Sequence, residues 1–158
     1  MLPYAIRRPM LPLLGTRPVA KTLRWVLPLT DRFVVWASRG RRTFTELVMP
    51  TLVLTTTGRR SGEPREQPLL YLPEDDRFVV VGSNFGQRHH PAWTHNLLAS
   101  PEASVRIGGT TSQVRAELVT GEERERLYRR FEELSPNYPL YRRWCGDREI
   151  RVFLLHHA

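Results

Sequence analysis

The chain has 158 residues, 41% hydrophobic and 25% charged, which is typical of one globular domain with a sizeable core. Its single cysteine, Cys145, excludes an intramolecular disulfide and fits a reducing, cytoplasmic setting, and no His/Cys spacing suggests a metal site. The net charge of +8 is uneven: residues 1–60 carry 11 Lys/Arg and 2 Asp/Glu, and the remainder carries 13 and 14. Such a basic segment favours an anionic partner, namely a membrane surface, nucleic acid or a polyanionic small molecule.

The basic segment predicts an N-terminal arm over residues 1–45, followed by a folded domain over 46–158. Four prolines interrupt the first 20 residues, and a short helix is predicted over 31–39. We favour packing of this helix on the domain edge, with contact to an anionic membrane as the alternative. No apolar run approaches the roughly 20 residues needed to span a bilayer. The sequence therefore predicts a cytoplasmic protein, with membrane association left open.

Six later segments have the apolar or alternating pattern of β-strands. They are residues 52–57, 68–72, 77–82, 104–107, 111–119 and 149–155. In the fifth, Val114, Ala116 and Leu118 are predicted to share a buried face. Helices are predicted over 92–99, opened by Pro91, and over 122–134, begun by a Thr120/Glu123 capping box. The pattern predicts an α+β, mainly β fold: a small barrel of about six mostly antiparallel strands with peripheral helices.

A loop rich in glycine, hydroxyl and arginine side chains follows the first strand. Hydroxyls, free backbone N–H groups and guanidinium forks are the groups that bind phosphate. Two interpretations carry equal weight: an anion-binding clamp, or a hairpin turn with a solvated basic tip. The candidate residues are Thr57, Gly58, Arg59, Arg60, Ser61, Gly62 and Arg65.

A second group of candidate residues follows the third strand and enters the first predicted helix. A helix start after a loop of small polar residues can receive an anion or a carbonyl. Trp93 either covers a planar ring or fills the core, with core filling favoured, and Asn96 could brace the loop. His89 and His90 are interpreted as solvated, since no nucleophile–histidine–carboxylate arrangement is apparent. The candidates are Ser83, Asn84, Ala92, Trp93 and Asn96.

A third candidate group is the pair Tyr138 and Tyr141 in a proline-bearing segment before the last strand. Their hydroxyls could meet a substrate carbonyl or nitro oxygen. Equally, both rings could pack the mouth of the barrel, and the sequence alone does not decide between these roles.

Together, the three groups resemble the deazaflavin-dependent nitroreductase family of actinobacterial type over residues 28–155. The resemblance lies in residues 54–62 with Pro64-Arg65, in Ser83-Asn84, in the segment 90–97, and in the tail from Tyr138 to Ile150. It implies a split β-barrel that binds 8-hydroxy-5-deazaflavin, coenzyme F420. The cofactor's phosphate and acidic tail would lie along the basic loop and its ring against the second group, with both tyrosines near the substrate.

The sequence departs from the family pattern at three positions. Phe85-Gly86 stands where members often have Gly-Gly, Thr94 where many have Tyr, and Ser100 where Asn is usual. Phe85 is therefore expected to narrow the pocket and to alter which substrates fit.

The resemblance implies an oxidoreductase that transfers hydride from the reduced cofactor to a quinone, an activated alkene or a nitroaromatic, with Tyr138 or Tyr141 orienting the acceptor or donating a proton. The alternatives are an FMN-binding split barrel and a non-catalytic cofactor carrier or peripheral membrane protein. Nucleic-acid binding is not expected, because no aromatic-interleaved basic motif or helix-turn-helix pattern is present. The oligomeric state is left open.

Overall fold

A computed structural model describes residues 50–158 and contains a closed barrel of six antiparallel strands. Around the barrel, the strands follow the order β1-β2-β3-β6-β5-β4, and β4 closes it by pairing with β1. The predicted mainly β barrel with peripheral helices is confirmed for these residues. The strands are β1 Thr51–Thr57, β2 Pro64–Glu74, β3 Arg77–Val81, β4 Glu102–Ile107, β5 Thr110–Val119 and β6 Val152–His157.

Three helices and one short 3₁₀ turn accompany the barrel. They are the turn Asn84–Gly86, α1 Ala92–Ala99, α2 Gly121–Leu134 and α3 Asn137–Trp144. The predicted bounds of α1 are confirmed. Helix α2 buries Leu127 and Phe131, as their spacing of four residues predicts. No helix within residues 50–158 is long and apolar enough to cross a membrane.

The core forms two clusters, one inside the barrel and one beneath the helices. Leu52, Val80 and Phe153 belong to the inner cluster, and Val79 and Leu154 belong to the outer one. Because successive strand residues point to opposite faces, β3 and β6 are buried on both sides. These two strands therefore hold α2 and α3 against the barrel.

Several element bounds differ from the sequence prediction. Strand β2 begins at Pro64 rather than at 68, because the chain pairs with β1 directly after the basic loop, with Thr57 opposite Pro64. Strand β6 begins at Val152 rather than at 149. The proline-bearing tyrosine segment, for which no regular element was predicted, is helix α3. Pro139 is tolerated because it lies in the first turn, where backbone N–H groups lack intrahelical partners anyway.

Three local predictions were wrong. Thr120 is the N-cap of α2 but makes no side-chain capping hydrogen bond, so the capping box is not formed. Pro91 is the N-cap of α1 rather than its first residue. Leu118 is 38% exposed, whereas Val119 is buried. At the end of β5 the buried face of the strand is the one outside the barrel, because Val119 packs there with the α2 residues of the outer cluster. The predicted arm, its helix and its membrane contact lie outside the described residues.

Candidate functional site

The basic loop is a six-residue hairpin connection between β1 and β2. Its ends are joined by hydrogen bonds from the Gly58 backbone N–H to Glu63 O at 2.8 Å and from the Gly62 N–H to Gly58 O at 2.7 Å. A Cβ on Gly58 would lie 2.7 Å from the Ser61 Oγ and 3.1 Å from Glu63 O. A side chain at this position would displace the Ser61 hydroxyl and crowd the Glu63 carbonyl, so glycine suits the inside of this compact turn.

Two arginines of this loop, and a third at the start of β2, project into solvent. Arg59, Arg60 and Arg65 are all exposed. Arg65 donates a long hydrogen bond from its Nη2 to Ser61 Oγ, at 3.5 Å. Within residues 50–158, none of the three forms a salt bridge, unlike Arg106, which lies 3.5 Å from Glu66. The loop therefore carries positive charge that no described carboxylate neutralises, as an anion clamp requires.

Asn96 joins the basic loop to helix α1. Its Oδ1 accepts a hydrogen bond from the Arg59 backbone N–H at 3.1 Å, and its Nδ2 donates one to Thr56 Oγ1 at 3.0 Å. Asn96 is 5% exposed and Thr56 is 2% exposed. Asn96 was predicted to bond the backbone of the loop after β3; in the structure it instead bonds the backbone of the basic loop. This side chain brings together two candidate groups that lie about 40 residues apart in sequence.

Arg148 holds the loop that follows β3, and the sequence analysis assigned it no role. Its Nε donates to Gln87 O at 2.9 Å, its Nη1 to Gly82 O at 3.0 Å and its Nη2 to Ser83 O at 2.7 Å. Burial lowers the pKa of this guanidinium. This role of Arg148 could not be predicted from the sequence, because no sequence pattern shows which loop an arginine just before β6 will contact.

The residues of the second candidate group differ in how accessible they are. Ser83 and Asn84 are half-buried and Ala92 is exposed. Trp93 is only 6% exposed, and its ring lies 5.7 Å from that of Phe153 in the inner cluster. The favoured interpretation of Trp93 as a core residue is confirmed, and any contact with a cofactor ring stays a prediction.

The 3₁₀ turn packs closely on helix α3. A Cβ on Gly86 would lie 2.9 Å from Trp144 Cβ and 3.0 Å from Tyr141 Cα. The ring of Phe85 meets that of Tyr141 edge-on at 6.1 Å. The turn that contains Asn84 is therefore in direct contact with Tyr141 of the third candidate group.

Tyr138 and Tyr141 are buried, at 5% and 8% exposure. Tyr138 packs between the rings of Phe131 and Tyr141, at centroid distances of 5.2 and 5.6 Å. Burial raises the pKa of Tyr141 to about 12 and raises that of Tyr138 as well. Both phenols therefore stay protonated at neutral pH, which suits them to donate a hydrogen bond.

Two histidines near the start of α1 lie beside arginines. Arg148 Nη1 is 3.5 Å from His90 Nδ1, and Arg151 Nη1 is 3.4 Å from His95 Nδ1. Burial and the neighbouring guanidinium groups lower the pKa of His90 to about 4. The interpretation of His90 as a solvated loop residue was wrong, because it packs against Arg148 and His95; His89 is exposed, as expected.

Comparison with known proteins gives a consistent result. The family described as F420H(2)-dependent quinone reductase matches residues 31–157. Rv3178 of Mycobacterium tuberculosis, provisionally named an F420H(2)-dependent quinone reductase, is 34% identical over 68% of this chain and 89% of its own. The solved structure of an F420-H2 dependent reductase, FDR-A, is 35% identical with a TM-score of 0.62, over 68% of this chain and 94% of that one. A chain described as a domain-swapped dimer is 31% identical with a TM-score of 0.65, over 85% and 99%.

Proposed function

Since the chain belongs to the F420H(2)-dependent quinone reductase family, we propose that it transfers a hydride from the reduced deazaflavin to a small planar electrophile. It is a deazaflavin-dependent oxidoreductase, and F420 is its cofactor. The matched family supports the deazaflavin over FMN. The first acceptor class to test is a quinone, and activated alkenes and nitroaromatics complete the proposed range.

The observation that carries this proposal is the unneutralised basic loop. Arg59, Arg60 and Arg65 are exposed and lack salt bridges to any residue in 50–158. The cofactor has a phosphodiester and an acidic tail, so such a cluster matches its charge. The hydroxyls of Thr57 and Ser61 would supply the neutral hydrogen bonds. The backbone N–H groups of Gly58, Arg59 and Gly62 already donate within the protein. The residues proposed to hold the tail are Thr57, Gly58, Arg59, Arg60, Ser61, Gly62 and Arg65.

The second group is proposed to receive the cofactor ring. Ser83 and Asn84 retain exposed surface and can offer polar atoms, and Ala92 leaves room for a flat surface to approach. Trp93 and Asn96 are buried and would support the ring from below, Asn96 by holding the Arg59 backbone. The bound deazaflavin supplies the hydride, and this chain supplies position and charge.

Tyr138 and Tyr141 are proposed to orient the acceptor by hydrogen bonding. Because burial raises the pKa of Tyr141 to about 12, its hydroxyl keeps its proton at neutral pH. A phenol with so high a pKa is suited to donating a hydrogen bond to a carbonyl and poorly suited to general-acid catalysis, because the ideal pKa for proton transfer lies near the working pH.

Titration of the purified protein with F420, followed by cofactor fluorescence, tests the assignment directly. We expect binding at micromolar concentration, and the variant R60A/R65A should bind about tenfold more weakly or worse, because two charge-assisted contacts are lost. R115A/R129A removes two exposed arginines from β5 and α2 and controls for net charge. If it weakened binding as much as R60A/R65A does, the loop would not be the clamp.

A further inference from the structure

Phe85 has a backbone conformation that phenylalanine rarely adopts. Asn84, Phe85 and Gly86 all have left-handed backbone angles, with φ values of 49°, 52° and 72°. Asparagine and glycine visit this region readily, whereas a side chain branching into a bulky ring is strained there. Phe85 is therefore the residue of the turn whose conformation is costly.

Burial of the ring does not offset this strain. Phe85 is 37% exposed, and it is one of three large hydrophobic side chains exposed within residues 50–158. Its ring meets that of Tyr141 edge-on, at a centroid distance of 6.1 Å. A strained residue with a solvent-facing apolar ring gains little from folding, and strain of this kind concentrates at functional sites.

Contacts on both sides of Phe85 hold the backbone of the turn in place. Arg148 binds the carbonyls of Ser83 and Gln87 on either side of Phe85. The next residue, Gly86, packs so closely against Tyr141 and Trp144 of α3 that no Cβ would fit between them without a shift. Phe85 lies two residues after the proposed ring-binding residue Ser83, and its ring contacts Tyr141, which is proposed to orient the acceptor.

We propose that Phe85 is a specificity-determining residue whose exposed ring, with Tyr141, forms an aromatic wall against which a planar acceptor packs. This inference rests on the proposed function and deepens it. A ring beside an aromatic wall gains most when its own flat surface is large, since aromatic contacts stabilise in proportion to area and add a pairing contribution. The wall therefore favours two-ring naphthoquinones over one-ring benzoquinones.

Two variants separate the ring from the backbone. F85A removes the ring and keeps a Cβ in the left-handed region, whereas F85G removes both. Both variants lose the same aromatic contact, so each should raise the KM for a naphthoquinone about three- to tenfold. The KM for a benzoquinone should change less, because its smaller ring has less contact to lose. The F420 dissociation constant should stay within about twofold of that of the unmodified protein. F85G should also melt at a higher temperature than F85A, because glycine relieves the strain.

L118A is the matched control, because Leu118 is 38% exposed but lies on β5. It should leave both KM values unchanged. An unchanged ratio of the two KM values in F85A, or an effect confined to F85G, would overturn the assignment of the ring. Equal melting temperatures of F85A and F85G would overturn the strain argument. Failure of the unmodified protein to bind F420 would instead overturn the proposed function, so the two failures are distinguishable.

Discussion

Asn96 is the side chain that links the two halves of the proposed cofactor site. It satisfies the Arg59 backbone N–H with its carbonyl oxygen and the Thr56 hydroxyl with its amide nitrogen. Both ends of the amide are used, so leucine cannot replace asparagine without leaving the Arg59 N–H unpaired. The position of the arginine-bearing loop therefore depends on one buried amide.

We expect N96A to lose about 1–3 kcal/mol of unfolding free energy, because a buried polar contact is left unsatisfied. It should also weaken F420 binding, because the Arg59 backbone is released. Urea denaturation and cofactor titration measure the two effects. T56V and T56S form a matched pair: only T56V, which loses the hydroxyl, should approach the stability loss of N96A. Equal stability of T56V and T56S would show that the Asn96–Thr56 hydrogen bond contributes little.

At the scale of elements, the site depends on the packing of the 3₁₀ turn against α3. Neither element was predicted from the sequence. The turn requires three successive left-handed residues, and sequence patterns give no reason to place phenylalanine among them. Helix α3 was missed because Pro136 and Pro139 suggest an irregular segment, although proline is compatible with a first helical turn. Local patterns fail where a contact with a distant element decides the conformation.

G86A tests this contact. An added Cβ would meet Trp144 Cβ at 2.9 Å and Tyr141 Cα at 3.0 Å, and backbone atoms cannot move aside easily. We expect about 1–3 kcal/mol of destabilisation from overpacking, in addition to about 1 kcal/mol from the left-handed backbone. G146A is the matched control, because Gly146 has φ +66° and no atom within 4 Å of its added Cβ. If thermal unfolding showed the same loss of stability in G86A and G146A, the contact of the turn with α3 would not be the cause of the destabilisation.

At the scale of the whole molecule, the barrel was predictable and the assembly of the site was only partly so. Alternating apolar residues and turn residues predict five or six strands, because the period of two reports burial directly. The residues of the basic loop and a bracing role for Asn96 also follow from residue chemistry, although the loop that Asn96 braces does not. The roles of Arg148 and His90 do not, because they arise where the segment before β6 crosses the start of α1. Such contacts between distant segments depend on how the barrel closes.

The arginine–histidine cluster at that crossing makes stability depend on pH. His90 faces Arg148, Arg151 and His95, and its pKa falls from 6.5 to about 4 in the folded chain. The pKa of His95 is lowered in the same direction, first by burial and then by Arg151 and Arg59. Between pH 6.5 and 4 the unfolded chain therefore binds more protons than the folded one. Stability that is present above pH 6.5 is lost as the pH falls towards 4.

Urea unfolding at several pH values measures this dependence. The unfolding free energy should fall from pH 7 to pH 4, and H90N should reduce that fall, because the group that resists protonation is removed. H89N is the matched control, since His89 is the adjacent histidine and is exposed; its pH profile should follow that of the unmodified protein. If H90N and H89N gave the same profile, carboxylates such as Glu125, whose pKa is lowered chiefly by its hydrogen bond to Arg142, would account for the acid sensitivity instead.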